Sequence, residues 1–147
     1  MNAHVEKSGW LKNGLGVFQI LVGLSAMVGG WGLLADPSGA ALGMSTVWLE
    51  GTPFGNFLIP GIFLFTVNGL GTLAGGIATL KRYRYAGEIA MLLGGIMIIW
   101  IVIQVGLIGY MNFLQPLYFV IGLLEMTGGF LLRRKRSVIS SHLPLFR

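Results

Sequence analysis

The chain has 147 residues, of which 54% are hydrophobic and 10% charged, with 24 glycines, no cysteine and a net charge of +5; its mean hydropathy is +0.79. A soluble domain carries about 25% charged residues and cannot hide this much apolar surface, so the solvent around this chain is expected to be largely lipid. The missing cysteine excludes disulfides, thiolate metal sites and thiol redox chemistry, and with His4 and His142 both in the tails, haem ligation by paired intramembrane histidines is excluded as well.

Residues 1–12 are a polar lead with Glu6, Lys7 and Lys12, after which 13–35 carry no charge and, past Asn13, only one strongly polar side chain, Gln19. That run spans roughly 34 Å as a helix, enough to cross a bilayer and long for a signal peptide, so it reads as an uncleaved span. Asp36-Pro37-Ser38-Gly39 is a sharp turn: Asp bonds the backbone ahead, Pro presets φ and Gly closes. Residues 40–50 suit a short interfacial segment, with Ser45 as N-cap and Trp48 dipping into the headgroups. Thr52-Pro53-Phe54-Gly55 is a second turn.

The second span covers about 57–80, with Pro60 in its first turn, and ends at the basic turn Lys81-Arg82-Tyr83-Arg84-Tyr85. The third covers about 86–107. The fourth starts at Pro116 and is short, about 116–132, roughly 25 Å, and Arg133-Arg134-Lys135-Arg136 closes it ahead of a flexible basic tail, 133–147. The expected fold is therefore a single all-α domain, a four-transmembrane-helix bundle, with a long outer loop at 36–56. All ten basic residues fall on one side of these spans, and the two outer connections hold only Asp36 and Glu50. The positive-inside rule then places both termini in the cytoplasm of a multi-pass cell-membrane protein. The same charges, hugging the membrane edge, suit anionic lipid and argue against nucleic acid as a partner. Lys81, Arg82, Arg84, Arg133, Arg134, Lys135 and Arg136, with Trp48 opposite, are the expected lipid and interface residues.

Each span holds one notable polar residue: Gln19, Asn68, Gln104 and Glu125. Each shares a helical stripe with small or aromatic neighbours, such as Gly16, Gly23, Ala26 and Gly30 beside Gln19, or Gly122 and Gly129 beside Glu125. Such faces turn inward, because small residues let helices approach and amides bond across them. Counted by rise from the basic edge, Glu125 and Gln19 lie at similar depth and can meet, Asn68 lies near the middle and Gln104 towards the outer side, a sparse polar ladder. An acid inside a span is costly unless it is protonated, paired or hydrated, which makes Glu125 the sharpest candidate, for proton coupling or for stapling spans one and four through Gln19. Snorkelling towards Arg133–Arg136 is the other outlet. Glu88, one turn inside the edge, is expected to pair with Arg82 or Arg84.

No Ser–His or Cys–His pair, paired intramembrane acids, metal-ligand spacing or phosphate loop is present, so no catalytic residue, metal or cofactor is expected. Two functions stay open: a non-enzymatic accessory or lipid-interacting subunit, in a homo-oligomer or larger membrane complex, or a small proton-coupled carrier using Glu125 with Gln19, Asn68 and Gln104. Asp36-Pro37-Ser38-Gly39, Pro53-Phe54, Leu58-Ile59-Pro60-Gly61, Trp100-Ile101 with Gln104, and Leu114-Gln115-Pro116 together resemble an uncharacterised family of small bacterial four-span integral membrane proteins, similar to DoxX-like proteins in architecture. The resemblance implies the four-helix fold and no particular activity.

Overall fold

A computed structural model of the protein describes the backbone of residues 2–141 and the side chains of 9–138. The tail to Arg147 with His142, and the side chains of His4, Glu6 and Lys7, lie outside the described residues. Four helices account for most of the chain: α1 (Asn2–Ala35), α2 (Leu58–Leu80), α3 (Ala86–Ile108) and α4 (Leu114–Ser141). No strand occurs among the described residues. Each helix contains a stretch long and apolar enough to cross a membrane, which suggests a multi-pass membrane protein. The perimeter agrees: Leu21, Val28 and Trp31 on α1, Ile62 and Ile77 on α2, Leu92, Ile99 and Val102 on α3, and Val120, Leu124 and Phe130 on α4 are all exposed. A helix apolar all round needs an apolar surrounding.

Three boundaries differ from the sequence reading. Helix α1 begins at Asn2, not near residue 13, because nothing in the polar lead breaks a helix. Helix α4 runs through the basic cluster to Ser141 instead of stopping at Leu132. Arg and Lys are good helix formers, and Arg136 is held by α3, its guanidinium 3.6 Å from Glu88 and donating to the Arg84 carbonyl. The candidate membrane-spanning stretch of α4 is Leu114–Val138, a longer helix than the 116–132 read from hydropathy. Helix α2 is not uniform: a π-helical segment, Leu64–Gly71, sits between the α-helical Leu58–Phe63 and Thr72–Leu80. Within it the Thr66 hydroxyl donates to the Ile62 carbonyl at 2.7 Å, a local competitor for the ladder bond.

The helices pair as two antiparallel hairpins. Helix α1 lies along α2 and α3 along α4, while contact across the hairpins, α1 with α4 and α2 with α3, is sparser. Glycines seven residues apart, close to two helical turns, zip each hairpin. In the second, Gly87 faces Gly129 and Gly94 faces Gly122: a Cβ added to Gly94 would stand 2.5 Å from the Gly122 carbonyl oxygen. In the first, Gly16, Gly23 and Gly30 lie against α2, where a Cβ on Gly23 would stand 2.6 Å from the Leu73 nitrogen.

The α1–α2 connection folds across one end of both hairpins. Asp36 starts it by accepting from the Ser38 hydroxyl at 2.6 Å, the Ser38 N–H at 3.1 Å and the Ala41 N–H at 3.0 Å. The Ser38 hydroxyl above all, then the Ala41 amide, holds the Asp36 pKa below the ordinary carboxylate value. Two 3-10 turns follow, Ala40–Leu42 and Thr46–Leu49, the second capped by Ser45, whose hydroxyl accepts from the Val47 N–H at 3.3 Å. The Phe57 N–H donates to the Pro37 carbonyl at 2.9 Å and brings the ends of the connection together. Leu49 and Phe57 bury against Leu33 of α1, with Trp48, Leu64 of α2 and Ile108 of α3 packed around them. The connection thus grips both hairpins.

Candidate functional site

Beneath this roof lies a cavity of about 250 Å³. It is walled by Gly29 and Leu33 of α1, Leu64 and Asn68 of α2, Met97, Trp100, Ile101 and Gln104 of α3, and Leu114, Gln115 and Tyr118 of α4, with Leu42, Met44 and Trp48 of the connection above. Among the described residues, no Asp, Glu, Lys, Arg or His lines it. Leu64 and Asn68 both belong to the π segment, so the irregular part of α2 is the part that faces the cavity. Trp100 is braced by Phe63, the rings stacked with centroids 4.4 Å apart. Gln115 is committed to the α3–α4 turn, accepting from the Met111 N–H at 2.8 Å and donating to the Gly109 carbonyl at 3.1 Å. Among the described residues, no bond of this kind ties down Gln104 or Asn68. Three methionines, Met44, Met97 and Met111, line a wall that can reshape around a guest.

Deeper, towards the basic end, lies a second polar group. Gln19 of α1, Thr79 of α2 and Glu125 of α4 are all fully buried. The Thr79 hydroxyl stands 2.8 Å from Gln19 Oε1 and 2.9 Å from the Gly75 carbonyl oxygen, one proton shared between two acceptors. Glu125 comes within interaction range of the Gln19 side chain. Neither of its oxygens completes a hydrogen bond, however, and neither does Gln19 Nε2. The glycines of the hairpin seam create this position, since a Cβ on Gly94 would stand 3.0 Å from the Glu125 Cβ. Leu15, Ala90 and Leu132 seal it from the basic end. Fully buried Ala26 and Met97, with Thr72, stand at heights between it and the cavity. The Thr72 hydroxyl is itself buried without a partner.

The four polar candidates therefore divide into two pairs. Gln19 and Glu125 meet, as their matched depth implies; Asn68 and Gln104 line the cavity, and about 10 Å of helix rise separates its Tyr118 from Glu125. The ladder is interrupted by the packed layer. Glu125 does not snorkel: no cation pairs with it among the described residues. Trp48, read as a headgroup anchor, is half-buried and roofs the cavity.

At the basic end Lys81, Arg82, Arg84, Arg133 and Arg134 are exposed and Lys135 is half-buried. Arg82 occupies a left-handed position at φ 57 in the α2–α3 turn. Glu88 pairs with Arg136, not with Arg82 or Arg84, because the continuation of α4 brings Arg136 alongside. Arg84 and Arg136 both lie over the Tyr85 ring, at 5.2 and 5.5 Å from its centroid. Sequence reasoning passed over Thr79, Met44, Met111 and Tyr118 as functional positions. Thr79 had a usable signal, lying on the same helical stripe of α2 as Asn68 and Thr72. No family model, curated protein or solved structure matches the chain.

Proposed function

We propose that the protein is a small membrane carrier that takes an uncharged, largely apolar molecule into the roofed cavity between its hairpins. The cavity is the observation that carries this reading: about 250 Å³, with two uncommitted amides on a mostly apolar wall and no charged side chain among the described residues. Concave apolar sites with a few polar groups are where small ligands bind. A charged ligand would find no counter-ion there, and a reacting one no acid or base beyond the Tyr118 phenol. Binding and transfer fit better than conversion.

Orientation belongs to the same proposal. Every basic residue lies on the side of the spans opposite the α1–α2 and α3–α4 connections. The positive-inside rule puts that side, with both termini, in the cytoplasm, and the roof outside. Lys81, Arg82, Arg84, Arg133, Arg134, Lys135 and Arg136 would then face anionic headgroups, which is the lipid interaction that an accessory subunit would share.

The test fills the cavity. Gly29 lines it, and a Cβ there meets only Leu64, at 3.5 Å. Gly29→Leu should fold, and should lose a small neutral molecule that wild-type protein retains through purification, detected by mass spectrometry of organic extracts. If wild type and Gly29→Leu yield the same extract, the carrier reading fails.

A further inference from the structure

The cavity leaves Glu125 unused, and the neighbours of Glu125 suggest a use. Three buried polar atoms have no hydrogen-bond partner in this layer: both Glu125 oxygens and Gln19 Nε2. Unsatisfied groups in such a place are costly, and the arrangement is understandable only if something small completes it. We propose that Glu125, Gln19 and Thr79 form a binding site for a single proton, read out by reversal of the Gln19 amide.

A primary amide presents a donor on one side and an acceptor on the other, and can exchange them by turning over. In the orientation observed, Oε1 accepts from the Thr79 hydroxyl at 2.8 Å and the NH₂ group is left for a carboxylate at Glu125. When a proton adds to Glu125, the carboxyl becomes a donor and needs an acceptor. Turning the amide over supplies Oε1 to the new O–H. The NH₂ group then donates to Thr79 Oγ1, and the Thr79 proton goes wholly to the Gly75 carbonyl, already 2.9 Å away. Each protonation state then has its own chain, Glu125–Gln19–Thr79, closed once the amide and the carboxyl draw within hydrogen-bonding distance. The charge balance is one proton taken up and one carboxylate neutralised.

Nothing nearby competes for the role. Helix α2 has no ionisable residue between Leu58 and Leu80. On α1 the nearest is Lys12, seven residues from Gln19; on α3 it is Glu88, 3.6 Å from Arg136; on α4 they are Tyr118 and Arg133, seven and eight residues from Glu125. One carboxyl, one amide and one hydroxyl also fall short of the six to eight oxygens that Ca²⁺ takes. The chain crosses from α4 through α1 to α2, so it ties together two hairpins that otherwise touch sparsely.

The protein has three glutamines, Gln19, Gln104 and Gln115, and among the described residues only Gln19 adjoins a carboxyl. Full-length protein labelled with ¹⁵N-glutamine in lipid nanodiscs should give three side-chain amide pairs. One pair should move with pH, while those of Gln104 and Gln115 stay fixed. Glu125→Gln, close in shape, adds a fourth amide pair and should leave all four static with pH, and Thr79→Val should shift the wild-type midpoint at least threefold in proton concentration. Three static pairs in wild type would overturn the site. A moving pair that persists in Glu125→Gln would overturn the assignment, and a midpoint indifferent to Thr79→Val would overturn the relay. None of these readings depends on a ligand in the cavity, so a failure here leaves the carrier reading standing, and the reverse.

Discussion

Inside the α3–α4 hairpin the backbones touch: Gly87 and Gly129, Gly94 and Gly122 leave no room for a methyl group between them. Between the hairpins the contacts are fewer, and they are made by side chains: Ser25 hydrogen-bonded to Tyr118, Gln19 beside Glu125, Leu15 against Ala90 and Leu132, and the residues around the cavity. Lipid tails are as apolar as Leu, so nothing hydrophobic drives helices together in a membrane; close packing and hydrogen bonds must do it. The hairpin seams use the first means, and the junction between hairpins depends on the second. A close-packed seam has one good geometry. A junction made of a cavity, flexible methionines and reversible hydrogen bonds has several, so the junction is where motion belongs.

That contrast can be broken most severely at the seam. Gly94→Ala should lower stability by about 1–3 kcal/mol, the usual cost of overpacking, because the obstructing atoms are backbone and cannot step aside. Gly106→Ala, where a Cβ meets nothing within 4 Å, should leave the thermal unfolding midpoint unchanged or slightly raised. Equal midpoints for the two variants in detergent would refute the zipped seam. At the junction the sign should reverse. Thr72→Val removes a buried hydroxyl that has no partner, keeps the shape, and should stabilise by about 1 kcal/mol; a loss of stability would show that the hydroxyl has a role in the fold. The smallest effect is expected at the roof. Asp36 has a depressed pKa in the folded protein, so its contribution is complete above the unfolded carboxylate value and is lost as pH falls through the folded one. The difference in unfolding midpoint between wild type and Asp36→Asn should therefore be present near neutrality and vanish on acidification. A difference that persists in acid would detach it from the carboxylate.

Four spans were legible because hydropathy and charge spacing report them directly. The meeting of Gln19 and Glu125 was legible from depth alone, since rise per residue converts position in a span into height. Trp48 was not. An aromatic near a membrane edge suits an interface and a roof alike, and the burial of Leu49 and Phe57 beside Trp48 is what adds the roof. The end of α4 was misplaced because hydropathy stops at Arg133 while helix propensity does not. The cavity had no signature, being a property of how Leu64, Met97 and Trp100 from different helices fail to fill space. The seam had one: glycines seven apart occur in every span, at Gly16, Gly23 and Gly30, at Gly69 and Gly76, at Gly87 and Gly94, and at Gly122 and Gly129.

The π segment of α2 bears on that interval. Gly61 stands eight residues before Gly69, not seven. In an unbroken α-helix the extra residue would turn Gly61 about 100° away from the line of Gly69 and Gly76. Gly61 is nevertheless on the seam, where a Cβ would stand 2.7 Å from the Leu33 Cβ. The wider turns of Leu64–Gly71 absorb the surplus residue and bring the two ends of the helix back into phase. The irregularity that borders the cavity is thus also a phase corrector, letting one helix serve two registers along a single partner.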